Sequence, residues 1–248
     1  MGYSVEKDYT WPLKIASYDA GRDRRLRLSN QLKLQEEAGE RHLGGAGLGY
    51  RELYRHGMIF VMTKTAAVIR RAPQLGEEVR LRTWHRDGRG AQFFRCYTFL
   101  DAQDRPLIES VSAFALVDPV SHKLLRPAVF EQFGVENQPG RTNGCPDPGR
   151  LHLPEGMEPA GSRRIYWSDT DYNGHLNNTR YADILCDFVP GGLYGRRVTG
   201  FTIVYQHEAL EGDELDIRAC VQENTAWVSA SHPRGACFEA CLTYEPEE

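Results

Sequence analysis

"QLGEEVRLR", Gln74–Arg82, and "LEGDELDIR", Leu210–Arg218, are the two stretches whose likeness decides the fold. Superposed on Gly76 and Gly212, 136 residues apart, they bring Glu78 onto Glu214, Val79 onto Leu215, Leu81 onto Ile217 and Arg82 onto Arg218. Each reads as a turn that releases an alternating, half-buried strand. The surroundings repeat too. A strand-like run precedes each copy, Met58–Arg71 in one case and Arg197–Ala209 in the other. Two more follow each: Ala91–Asp101 and Pro106–Asp118, then Ala226–His232 and Ala236–Glu245. A helix candidate stands ahead of each set. "SNQLKLQEEAGERHL" opens on Ser29 or Asn30 as N-cap. "HLNNTRYADILCDFV" spaces Leu176, Tyr181, Ile184, Leu185 and Phe188 along one helical face, and Pro190 with Gly191-Gly192 ends it.

Each half is therefore expected to be one helix followed by four or five mostly antiparallel strands. A helix wrapped by a curved sheet is an α+β layer arrangement, and so long a helix should be buried on most faces. Six of the 13 prolines fall within Pro127–Gly161, which marks a linker. The expected division is residues 1–128, a Pro/Gly-rich linker 129–160, and residues 161–248, the two halves pairing sheet edge to sheet edge as a pseudo-dimer.

The 248 residues are 41% hydrophobic with a net charge of −4, enough for a substantial core and unlike the basic balance of a nucleic-acid binder. Arginine clusters at Arg22–Arg27, Arg70–Arg71, Arg163–Arg164 and Arg196–Arg197 are read as solvated surface or as a landing site for an acidic partner. The six cysteines form no CxxC pair and are read as reduced. "MGYSVEKDYT" has no apolar signal core, and no run approaches a membrane helix in length, so the expected location is cytoplasmic. No metal-ligand spacing or phosphate loop occurs, and no cofactor is expected.

The chemistry concentrates in "WSDTDYNGHLNNTRYADILCDF", Trp167–Phe188. If Thr170–His175 is extended, Asp171, Asn173 and His175 share one face. A helix starting near Leu176–Asn178 would then present unpartnered N–H groups at Asn177 and Asn178, able to stabilise negative charge on a carbonyl oxygen. The plain alternative is an ordinary helix cap.

This stretch resembles the motif of the plant and bacterial acyl-[acyl-carrier-protein] thioesterases, approximately W-S-D-x-D-x-N-x-H-V-N-N-x-x-Y. "GMIFVMTKTAAVIRRAPQLGEEVRLRTW" and "FALVDPVSHKLLRP" resemble that family's first half. The resemblance implies a double hot dog: two tandem hot-dog domains, each a long helix wrapped by a curved antiparallel sheet. It implies that Asp171, Asn173 and His175 are catalytic. A further family motif, approximately E-Y-R-R-E-C, falls on "VYQHEA", Val204–Ala209, and implies a catalytic Glu208. Ala209 stands where many members carry cysteine, which favours activated water over a thiol nucleophile. The implied reaction is hydrolysis of a fatty acyl-[acyl-carrier-protein] thioester to free fatty acid and carrier-protein thiol, in a bacterial cytoplasm, with one site per chain. The first half would hold the acyl tail, with Leu32, Phe60, Met62, Val68 and Phe94 as pocket candidates that could equally be core.

Three rivals stand beside this reading. One is an acyl-coenzyme A thioesterase of the same fold, another a hot-dog dehydratase, and the third a non-catalytic acyl-binding module. The implied partner is acyl carrier protein, with no nucleic acid and no membrane span. Unpaired edge strands leave a homodimer open.

Overall fold

The computed structural model describes residues 3–247; Met1 and Gly2 of the N-terminal segment, and Glu248, lie outside the described residues. The chain divides into two compact units. The first takes the chain up to Thr63 together with Arg70–Asp147, and the second takes Lys64–Ile69 and everything from Pro148 onward.

In the first unit the elements run β1 (Tyr9–Lys14), α1 (Leu28–Gly44), α2 (Tyr50–Arg55), the start of β2 (Ile59–Ile69), β3 (Glu78–Arg89), β4 (Gln92–Leu100), β5 (Pro106–Val117) and a helical turn α3 (Ala128–Glu131). Its strands lie in the order β1-β3-β4-β5 with antiparallel pairing. In the second unit β6 (Glu158–Arg164) and a 3-10 turn (Trp167–Asp169) lead to α4 (Arg180–Asp187). β7 (Arg196–Tyr205), β8 (Glu214–Gln222), β9 (Thr225–His232) and β10 (Gly235–Pro246) follow. Here Lys64–Val68 of β2 pairs with β7, and the order continues β10-β9-β8-β6, again antiparallel.

The repeat read from sequence is present down to its hydrogen bonds. Gly76 and Gly212 adopt φ of 82° and 89°, values that suit glycine, and each precedes a strand that begins two residues later. The Gly76 N–H donates to the Ile15 carbonyl at 2.9 Å, and the Gly212 N–H to the Ile165 carbonyl at the same distance. The fold is the tandem hot dog expected.

Four details differ from the sequence reading. A strand precedes each helix. β1 carries Pro12 and β6 carries Pro159, and both lie at the edge of their unit's strand order, where a missing N–H is tolerated. The α1 N-cap is Arg27, with neither Ser29 nor Asn30 capping; both sit inside the helix and are buried. Nor is α1 buried on most faces: Lys33, Glu37, Glu40 and Arg41 are exposed, and the covered stripe is Gln31, Gln35, Ala38 and His42 at i, i+4, i+7, i+11.

The fourth concerns the proline-rich stretch, whose first part belongs to the first unit. Phe130 and Phe133 join a buried cluster with Leu53, Met58, Phe93 and Leu116. Further on, the Trp84 indole donates to the Arg141 carbonyl at 3.0 Å, Asn143 donates to the Tyr97 and Ser110 carbonyls at 3.0 and 3.1 Å, and Asp147 takes a forked ion pair from Arg86. Backbone polar groups of β4 and β5 that face this strap are satisfied by it, which is why prolines here do not mean a free linker.

Candidate active site

The second unit's loop from Tyr166 to Arg180 is anchored by Asp169, a buried carboxylate. Its Oδ2 accepts the Tyr166 N–H at 3.1 Å, and both oxygens accept from Arg163 Nη2 at 3.0 and 2.9 Å. Its carbonyl accepts the Asn177 N–H at 3.0 Å.

Beyond Asp169 the chain does not run extended. The Asp171 N–H donates to the His175 carbonyl at 2.8 Å and the Gly174 N–H to the Asp171 carbonyl at 3.0 Å, closing a tight turn with Gly174 at φ 80°. The Asp171 carboxylate accepts the N–H groups of Asn173, at 2.8 Å, and His175, at 3.3 Å. An aspartate that holds its own turn in this way explains the alternate D-x-N-x-H spacing better than a shared strand face does. Asn173 is exposed at the tip of the turn, and His175 is half-buried where the chain leaves it.

The chain then pairs with the segment after β7. His175 bridges Leu210, and the Leu176 N–H donates to the Ala209 carbonyl at 2.7 Å. In this register Asn177 stands opposite Glu208. Leu176 and Ala209 turn inward and are buried, while His175, Asn177, Glu208 and Leu210 share the other face. The register makes His175 and Glu208 diagonal cross-strand neighbours, positions that in a regular antiparallel pair are about 7–8 Å apart. Of the residues singled out, Asp171, Asn173, His175 and Glu208 are brought to one place.

Asn177 and Asn178 do not form a helix N-terminus. α4 begins at Arg180. The Asn177 N–H is already spent on Asp169, and its Oδ1 accepts from the Thr179 N–H and hydroxyl at 2.9 and 2.6 Å. An oxyanion donor is therefore not available from the Asn177 N–H. The Asn178 carbonyl accepts from the Tyr205 hydroxyl at 3.2 Å.

Beneath the site, Tyr181 of α4 packs edge-on against Tyr205 and Phe238. Cys237 is fully buried, and burial pushes its thiol up to about 11. A thiol held protonated at neutral pH is no nucleophile. Asp213 is held below the usual carboxylate range by Arg234, which donates to both of its oxygens. His232 and Arg234 also reach the Glu208 carbonyl. Neither carried any sequence signal beyond a "HPRG" turn.

The acyl-pocket candidates scatter. Leu32 is buried on α1 and Met62 on β2. Phe60 stacks edge-on with Phe93, Phe114 and Phe130 in the aromatic cluster. Phe94 alternates to the opposite sheet face from Phe93, under the Arg86 guanidinium at 4.8 Å. Val68 lies in the second unit, opposite Gly200.

Known proteins resemble the chain in sequence and in fold. Residues 6–128 match the acyl-ACP thioesterase N-terminal domain and residues 161–235 the acyl-ACP thioesterase C-terminal domain. A chloroplastic acyl-[acyl-carrier-protein] hydrolase of Cuphea viscosissima is 24% identical over 216 residues, covering 82% of this chain and 52% of its own length. A chloroplastic palmitoyl-acyl carrier protein thioesterase of Arabidopsis thaliana is 24% identical over 215 residues, 78% of this chain and 50% of its own. The chain thus spans about half the length of the curated relatives it matches. Among solved structures, an acyl-ACP thioesterase from Bacteroides thetaiotaomicron superposes with a TM-score of 0.86 at 20% identity, covering 96% of this chain and 98% of that one. A 12:0-ACP thioesterase from Umbellularia californica gives 0.81 at 18%, covering 97% and 98%. At such identities the likeness is one of fold.

Proposed function

The chain belongs to the acyl-ACP thioesterase family, and from that premise we propose that it hydrolyses the thioester of a fatty acyl-[acyl-carrier-protein]. The observation that carries the reading is the backbone bridge between His175 and Leu210, because it seats an imidazole and the Glu208 carboxylate on one exposed face.

In the mechanism we propose, Glu208 and His175 hold a water between them and take its proton as the oxygen attacks the thioester carbonyl carbon. The exposed amide of Asn173 donates to the carbonyl oxygen or to that water. Asp171 acts through the turn: its carboxylate fixes the backbone of Asn173 and His175, so both side chains project from a set position. The tetrahedral intermediate then expels the thiolate, which recovers a proton from the imidazolium. The products are a fatty acid and the carrier-protein thiol. No cysteine step is invoked, since Ala209 follows Glu208 and Cys237 is buried. Among the described residues no helix is long and apolar enough to cross a membrane.

The test is release of free thiol from a panel of acyl-carrier-protein and acyl-coenzyme A thioesters, with wild type beside Glu208→Ala. Hydrolysis of the carrier-protein thioesters that disappears in the variant is the expected result. Turnover of coenzyme A esters alone would replace the partner and keep the chemistry. No thiol release from any of them would overturn the reading.

A further inference from the structure

We propose that His232, the last residue of β9, and Arg234, in the turn that follows, are positioning residues for Glu208. This deepens the thioesterase reading and rests on it.

Glu208 lies beyond the end of β7 and just past the last bonds to β10, where the Gln206 and His207 N–H groups donate to the Cys237 and Ala236 carbonyls at 2.9 and 3.2 Å, so its side chain is only as well placed as its peptide plane. Two donors fix that plane. His232 Nε2 donates to the Glu208 carbonyl at 3.0 Å, and Arg234 Nη2 donates to the same oxygen at 3.4 Å. The imidazole has one workable tautomer. Its Nδ1 accepts the Arg234 backbone N–H at 3.2 Å, which leaves the proton on Nε2. His232 is 5% exposed, so it is a buried, neutral-tautomer imidazole whose two nitrogens are both committed. Arg234 is pinned in turn. Its guanidinium forks onto Asp213, whose Oδ2 also accepts the Leu210 N–H at 2.7 Å. The segment Glu208–Asp213 is therefore gripped at both ends by one hairpin turn.

The first unit supplies an internal control. Glu77 stands where Asp213 does, 136 residues earlier, and accepts the Gln74 N–H at 2.8 Å just as Asp213 accepts that of Leu210. Its arginine, however, is Arg71, from the same loop. Only in the second unit does the arginine come from the neighbouring hairpin and cross the carbonyl of position 208. The equivalent position in the first unit is Ala72, which has no side chain to aim. The hairpin grip appears in the copy that has a carboxylate to place.

His232→Leu removes the donor at Nε2, and His232→Gln returns an amide N–H to nearly the same point. With thiol release from an acyl-carrier-protein thioester as the assay, His232→Leu should lower kcat by on the order of 100-fold with KM within twofold, the scale of a misplacement of about 1 Å. His232→Gln should recover most of that loss. In a Glu208→Ala background His232→Leu should have no further effect, because the two act through one carboxylate. Thermal midpoints are recorded for each variant. If His232→Leu does not fold, Arg234→Ala, at a half-exposed side chain, carries the same test with a smaller expected loss. Full activity in both His232→Leu and Arg234→Ala, or effects that multiply with Glu208→Ala, would overturn the inference while the thioesterase reading stands. A wild-type protein that releases no thiol would overturn both.

Discussion

The loops at 17–30 and 167–180 are one backbone carrying two sets of side chains. Offset by 150 residues, they share their hydrogen bonds. Gly21 N–H to the Arg25 carbonyl matches Asp171 N–H to His175, both at 2.8 Å; Arg27 N–H to Asp19 matches Asn177 N–H to Asp169, at 3.1 and 3.0 Å. Buried Asp19 accepts the Ala16 N–H as Asp169 accepts that of Tyr166, each at 3.1 Å. Arg25 bridges Gln74 as His175 bridges Leu210. Yet Gly21, Asp23, Arg25 and Ala72 occupy the places of Asp171, Asn173, His175 and Glu208. Both copies keep the anchoring aspartate, the turn and the bridge, and they differ in what rides on them. The loop geometry is therefore common to both copies, and the chemistry proposed above rests on four side chains in the second.

The sharpest way to break this comparison is to remove one side chain from each loop at the bridging position. His175→Ala should lower the rate of thiol release by about 10²–10⁴, the usual contribution of a general acid–base. Arg25→Ala should leave it within twofold. Comparable losses from both would mean that the first loop carries chemistry too, and the single-site reading would fall.

A second difference separates the interiors. β9 alternates buried and half-exposed side chains, as a strand with one wet face does, whereas β4 is buried at every position from Phe93 to Leu100. Covering β4 on both sides takes Arg95 out of water. Its guanidinium donates to His42 Nδ1 at 3.0 Å, to Thr83 Oγ1 at 3.1 Å and to His85 Nε2, and His42 Nε2 in turn donates to the Glu6 carbonyl at 2.7 Å. Both imidazoles must be neutral to accept from a cation. Burial first, then Arg95, pushes His42 down to about 4, and the same causes push His85 well below its ordinary value. Glu40, whose carboxyl burial raises, and Asp8 are the acids that bear on the group.

The sign follows from linkage. Between about pH 6.5 and 4 the unfolded chain binds a proton at His42 that the folded chain does not. Stability is thus fully present above the unfolded value and falls as pH drops through that window. The loss from His42 should be on the order of 2–3 kcal/mol. Thermal midpoints measured from pH 7 to pH 4 should fall, and His42→Gln should flatten the slope. A slope unchanged in that variant would place the acid-sensitive group elsewhere.

Much of the architecture was legible because the repeat is written in glycine turns and alternating strands, signals that act locally. β1 and β6 were not, since an edge strand can carry proline and polar residues that a central strand cannot. The strap at 129–147 was misleading for a related reason. Proline content reports what the backbone cannot donate, and says nothing of side chains such as Phe130 and Asn143 that fix it to a core. At the site, the residue types in D-x-N-x-H were readable but their geometry was not. Spacing by two suits a strand face and equally suits an aspartate capping its own turn, and the hydrogen bonds choose the turn. His232 and Arg234 left no mark, because their work is to hold a carbonyl, and a carbonyl is present at every position.

The smallest expected effect separates the two helices. α4 buries Tyr181, Ala182, Ile184 and Leu185, an apolar face with one polar tip. α1 buries Gln31 and Gln35 one turn apart, both donating to the Ser110 hydroxyl, at 3.2 and 2.9 Å. Their Oε1 atoms are, among the described residues, buried without a partner. A buried acceptor left unpaired costs about 1–3 kcal/mol, more than the roughly 0.5–1.5 kcal/mol that one neutral hydrogen bond returns. Gln31→Leu removes one such oxygen and leaves Gln35 its shorter bond to Ser110. It should therefore stabilise the protein by about 1 kcal/mol and raise the thermal midpoint by about 2–4 °C for a chain of this size. A fall would mean that an ordered water occupies the gap and completes the network, in which case the polar face of α1 is as well satisfied as the apolar face of α4.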